Sequence, residues 1–203
     1  MKAFKKGLLT GFILQIAIGP VFFFIVNLAL QKSLSHGFAA VIAVTIVDYF
    51  YIALAILGVG KLIENKKIKK VFGIISSIVL ILFGIFMIRN VLNDIAPTTL
   101  GTNPTDLLSS FTSAFILTIS SPLTIVMYTS LFATKAVENN YSKRELLIFG
   151  LSAGLATFLF MGTAVMFSSL IKSMISPTLI QMLNITVGTL LVLYGSIRAL
   201  RIK

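Results

Sequence analysis

Residues 38–60 read FAAVIAVTIVDYFYIALAILGVG, an apolar stretch with one charged side chain, Asp48, near its middle. As a helix rising about 1.5 Å per residue, a run of this length crosses a hydrocarbon layer about 30 Å thick. A helix is the default there because lipid offers the backbone no hydrogen-bond partners. A central Asp costs about 2.5–3.5 kcal/mol on insertion scales, and each Leu, Ile, Phe or Val returns about 0.3–0.6, so the segment still inserts. Insertion therefore does not explain Asp48. An ionisable group at that depth is a functional candidate, and it has no cationic partner within its own span. At helical spacing Thr45 and Tyr51 accompany it, which predicts a hydroxyl-lined wall of Thr45, Asp48 and Tyr51.

Outward from this stretch lie five more apolar runs: Gly7 to Leu30, Val71 to Ile88, Leu107 to Ala133, Leu146 to Ile171 and Pro177 to Ile197. Together they predict an all-α integral membrane protein with six transmembrane helices. The composition agrees, at 57% hydrophobic and 11% charged residues. Zero Cys excludes disulfide scaffolds, thiolate metal sites and Cys nucleophiles, and a single His, His36, leaves His-based catalysis little material.

The charge of +11 does not require a nucleic-acid partner, because its placement has another reading. With six spans, 14 of the Lys and Arg residues fall on one side and only Lys32, Arg89 and Lys172 on the other. Short cytoplasmic loops collect positive charge, so this predicts cytoplasmic N- and C-termini in the cell membrane, with the basic side against anionic lipid. Lys2, Lys5 and Lys6 before an apolar run imitate a secretory signal. The run continues to Leu30, and Ala17 to Gly19 is followed by Pro20, which favours a span.

The loop Asn90 to Asp106 holds Pro97, Gly101 and Pro104, turn residues that divide the chain into a first repeat (1–93), a linker (94–106) and a second repeat (107–203). Three spans per half is odd, so a shared fold makes the second half an inverted copy of the first. The first span of each half carries a mid-span proline after a small residue, Gly19-Pro20 and Ser121-Pro122. Proline inside a helix costs about 3 kcal/mol, but at the first position of a new helix it costs little, and Ser is a favoured cap before it. The first helix of each repeat is thus expected to break at mid-membrane and to present backbone N–H groups and a partial positive charge, suited to a carboxylate. Gln15 and Asn27 flank the first break, and Thr118, Ser120, Thr124 and Tyr128 surround the second. Gly150 and Gly154 read as close helix packing.

Gly11-Phe12 followed by Ala17-Ile18-Gly19-Pro20, and Ile46-Val47-Asp48-Tyr49 running into Gly58-Val59-Gly60, resemble the L-lysine exporter family of amino-acid exporters. The resemblance covers the whole chain and implies an amino-acid-like cargo coupled to a proton or substrate gradient. Lysine-exporting members carry Gln-Asn after Gly-Pro where Val21 and Phe22 stand here, and Asn-Pro where Ser121-Pro122 stands. Both departures make the site more apolar, and the spans offer one acid where a dibasic cargo carries two cations. A neutral or apolar amino acid is therefore favoured over lysine or arginine.

The expectation is a secondary transporter working by alternating access. The substrate site comprises Gly19, Pro20, Ser121, Pro122, Asp48, Thr45, Tyr51, Gln15, Asn27 and Tyr128, with Asp48 the proton-coupling group. No cofactor, resident metal or nucleic acid is expected, and a homo-oligomer is left open. The alternatives are a divalent-metal exporter, for which one intramembrane acid is a poor ligand set; a non-transporting structural membrane protein; and an intramembrane enzyme, for which Ser121 lacks a base.

Overall fold

A computed structural model describes residues 2–16, 19–57, 66–92, 106–139 and 141–200. Among them the chain forms α1 (Lys2–Ile16), α2 (Pro20–Gln31), α3 (Leu34–Ile56), α4 (Lys66–Leu92), α5 (Leu107–Ile119), α6 (Pro122–Asn139), α7 (Lys143–Ile171) with a 3-10 turn (Lys172–Met174), and α8 (Pro177–Leu200), with no strand. Local sequence sets several starts. Ser33 caps α3 by accepting from the His36 N–H, and Asp106 caps α5 by accepting from the Leu108 N–H at 2.9 Å. Ser142 and Glu145 form a reciprocal capping box on α7. Prolines open α2, α6 and α8, where a missing N–H costs nothing.

Among the described residues, three helical stretches are long and apolar enough to cross a membrane unaided: Leu34–Ile56, Lys143–Met174 and Thr178–Leu200. α1 and α2 are apolar enough to make a fourth candidate together, as a broken span or a re-entrant loop, with their axes bent by 83°. Of the remaining two expected spans, Val71 to Ile88 lies within the single helix α4, while the other is divided. Among the described residues Gly73–Arg89 is a shorter apolar stretch of α4, which opens with lysines. The run from Leu107 to Ala133 is divided at Ser120-Ser121 into a 13-residue α5 and an α6 that ends in polar sequence. The expected linker 94–106 lies outside the described residues apart from Asp106, as do Ala17, Ile18 and Gly58 to Gly60.

Close contacts fix the helix directions. Gly7 lies against Phe149 and Ser152, and Gly11 against Ala153 and Ala156, so α1 and α7 run parallel. A side chain at Gly11 would press into the Ala153 carbonyl, so only glycine permits this approach. Gly37 meets Val165 while Gly154 meets the ring of Tyr49, so α3 runs against α7. Gly84 meets Gly188 and Gly195 meets Ser77, so α4 and α8 are antiparallel. Gly150 and Gly154 receive Ile52, Phe132 and Tyr49 rather than another backbone, a packing role of a different kind from small-on-small contact.

Exchanging the halves maps much of this packing onto itself. α1 packs on α7 and α5 on α3; α2 packs on α7 and α6 on α3; α2 touches α8 and α6 touches α4; the α3–α7 and α4–α8 pairs join the halves. Phe24, Ile25, Leu28, Met87 and Leu117 are central to one buried cluster, and Val47, Tyr128, Phe132 and Phe149 to a second. Ile42, Ile46 and Phe50 form an exposed stripe on α3 at helical spacing, the apolar outer face that lipid requires.

The two ends of the bundle are chemically distinct. At one, Lys6 donates to Asn139. At the other, the Lys172 ammonium donates to the Lys32 carbonyl at 2.6 Å, satisfying the C-terminal end of α2, and Lys32, His36 and Asp106 gather nearby. Asn184, early in α8, bonds to Asn27 and Gln31 at that second end, so the last turn of α8 and the start of α4 lie toward the first.

Candidate functional site

Asp48 is buried, at 4% exposure, where four helices meet. Its Oδ2 accepts from the Thr157 hydroxyl of α7 at 2.8 Å and from the Tyr128 hydroxyl of α6 at 3.1 Å. Thr157 in turn accepts from the Gln15 amide of α1 at 2.7 Å. The registers explain this convergence. Because α1 runs parallel to α7 with Gly11 on Ala153, one turn further along both helices places Gln15 beside Thr157. Hydrogen bonds to a charged acceptor are about twice as strong as neutral ones, so two hydroxyl donors hold the carboxylate in one orientation.

Asp48 looks into a cavity of about 460 Å³. Of the residues expected from sequence, Gln15, Gly19, Pro20, Asp48, Ser121 and Tyr128 line it. Both breaks therefore reach the same space. Gly19 is extended (φ −112°, ψ 179°) with no side-chain cap, and its carbonyl accepts from the Phe22 N–H at 3.1 Å in the first turn of α2. Ser121 closes a tight turn through its N–H to the Thr118 carbonyl at 2.9 Å, and Thr124 of α6 donates to the Ser121 hydroxyl at 3.2 Å. The side chain of Pro122 lies outside the described ones; its backbone begins α6. Two helix starts, each with its positive end, thus sit at the wall of a cavity whose acid is Asp48.

Three expected site residues are placed elsewhere. Thr45 donates to the Val41 carbonyl of its own helix at 2.8 Å. Tyr51 donates to the Ile119 carbonyl at 2.7 Å, satisfying the last turn of α5 just before the break. Positions three before and three after Asp48 sit about 60° to either side of it, so the pleasing row of hydroxyls splays apart and only Asp48 reaches the cavity. Asn27 joins Gln31 and Asn184 in a buried amide cluster nearer the second end.

Sequence reasoning missed Thr157, Ser76, Tyr194 and Arg198, the last three also at the cavity wall. Thr157 stands in an apolar run without a motif, and only the register of α7 against α3 and α1 reveals it. Arg198 reads in sequence as one more basic residue at a span end. The other walls are chiefly apolar, among them Val21, Phe22, Leu80, Met127 and Met161. Among the described residues no three His, Cys, Asp or Glu side chains group to hold a metal ion.

Apolar helices packed around a cavity that Asp48 lines make this a multi-pass membrane protein. Residues 12–199 match the LysE type translocator family, and the chain belongs to it. Membership makes it a membrane transport protein for amino acids or similar small solutes rather than an enzyme. No curated protein matches the chain, and no solved structure does.

Proposed function

We propose that the protein exports a neutral or apolar amino acid by proton-linked alternating access. The observation that carries this reading is the convergence of the two broken-helix starts and Asp48 on one cavity. The starts of α2 and α6 suit the substrate carboxylate, and Asp48 takes either its ammonium or a proton. Substrate arriving at Asp48 then displaces the proton, so one residue serves both roles in turn. The walls formed by Phe22, Met127 and Met161 favour an apolar side chain over a second cation.

Six spans in two inverted repeats, residues 1–93 and 107–203, are part of the same proposal. Its support is the helix directions, in which α1 parallels α7 and opposes α3 as spans one, five and two of such a protein must, and the half-for-half correspondence of packing partners. Rocking of one repeat on the other around the cavity follows from that arrangement. The basic end carrying Lys6 and the end of α8 faces the cytoplasm in this reading, against anionic lipid.

Counterflow in proteoliposomes, with a panel of labelled amino acids and with Cd²⁺ or Mn²⁺, with and without a pH gradient, tests the reading. Exchange of leucine-like amino acids, driven faster by the gradient, is the expected result. Uptake of metal but of no amino acid would replace it with the metal-exporter alternative.

A further inference from the structure

The cavity is not confined to the neighbourhood of Asp48. Leu190, Tyr194 and Arg198 line it at successive turns of α8, a face about 12 Å long ending in a guanidinium. The contact of Gly195 with the Ser77 carbonyl and with Leu80 sets this last part of α8 directly against the middle of α4, which brings Ser76 to the same wall. Ser76 is unusual. Its neighbour Ser77 spends its hydroxyl on the Gly73 carbonyl at 2.9 Å, whereas the Ser76 hydroxyl, 1% exposed, makes no hydrogen bond among the described residues. A buried hydroxyl without a partner costs about 1–3 kcal/mol, so a group that supplies one is favoured at that spot. Arg198 is partly buried and forms no ion pair among the described residues, with Tyr194 one turn earlier on the same helix.

We propose that Arg198 and Ser76 form an anion-binding subsite at the terminus-bearing end of the cavity, which takes the substrate carboxylate on entry before it passes to the starts of α2 and α6. This rests on the amino-acid reading above and deepens it. The planar guanidinium presents several N–H donors to a carboxylate, and the Ser76 hydroxyl adds one more from the facing helix. Asp48 and Arg198 then give the cavity opposite charges at two depths with apolar wall between them. That polarity selects solutes with an ammonium, a carboxylate and an apolar body, and orients them ammonium-first.

Isothermal titration of the purified full chain with L-leucine, L-leucinamide and 4-methylpentanoate separates the two charges, since the second lacks the carboxylate and the third the ammonium. In Arg198→Gln the dissociation constants of leucine and 4-methylpentanoate should rise about tenfold while that of leucinamide stays unchanged, and Arg198→Lys should recover part of the loss. Ser76→Ala, with no guanidinium altered, should weaken the same two ligands by about threefold. Equal weakening of leucinamide by Arg198→Gln, or no change for any ligand, overturns the subsite. Wild-type protein that binds 4-methylpentanoate but neither ammonium ligand upholds the subsite and overturns the amino-acid reading. Binding of leucine and leucinamide with equal affinity overturns the subsite only, and binding of none, or of leucinamide alone, overturns both.

Discussion

Asp48 stands out in the sequence as a functional candidate because it is the one charge in residues 38–60 and has no cationic partner within its own span. Its partners are not legible, because Thr157, Tyr128 and Gln15 lie on three other helices and reach it through registers no motif records. Asp48→Asn keeps the shape and can still accept from Thr157 and Tyr128, but it carries no exchangeable charge. Transport driven by a pH gradient should vanish in this variant, whereas exchange at equal pH should persist at a reduced rate; full gradient coupling in proteoliposomes would refute the carrier role. Thr157→Val removes a donor to Asp48 and the acceptor of Gln15 with little change in shape, and Tyr128→Phe removes a single donor. At about 1 kcal/mol per neutral hydrogen bond and more to a charged group, initial counterflow rates should fall about tenfold in the first and about fivefold in the second.

At the level of helices, the prolines announce the starts of α2 and α6 correctly, since a proline is tolerated at a first turn and not in an interior. The division of Leu107 to Ala133 into two short helices goes further than hydropathy indicates, because a sliding apolar average does not register a turn at Ser120-Ser121. The glycines separate two kinds of role. A side chain at Gly11 has no room against α7, whereas a methyl at Gly19 meets nothing within 4 Å and its φ suits any residue. Gly11→Leu should therefore destabilise the protein by about 2–3 kcal/mol, visible as a lowered midpoint of thermal unfolding in detergent. Gly19→Ala should leave that midpoint unchanged while raising the substrate concentration needed for half-maximal transport, because the methyl projects into the proposed substrate site. A lowered midpoint in Gly19→Ala would mean that the break is built for packing rather than for the ligand.

For the whole molecule, the asymmetry of basic residues yields an orientation, and the absence of cysteine makes it easy to check. Single cysteines at the exposed positions Lys143 and Ser173, at opposite ends of α7, should react with an impermeant maleimide from opposite faces of intact cells, Ser173→Cys from outside and Lys143→Cys only after permeabilisation. Labelling of both from outside would dismantle the topology. The proposed inverted repeats rest in the sequence on the odd number of spans per half and on two prolines, since Gly19-Pro20 and Ser121-Pro122 share little else; the correspondence of packing partners is a property of three dimensions. The same is true of the fastening at the end away from the termini, where Lys172 holds the carbonyl end of α2 and three amides, Asn27, Gln31 and Asn184, knot α2 to α8. Such a latch is made of groups that exchange one another for water at nearly equal free energy. In the proposed export cycle, releasing cargo on that face asks for wetting of a seam rather than for prising apart an oily one, and the door can swing on a small bias.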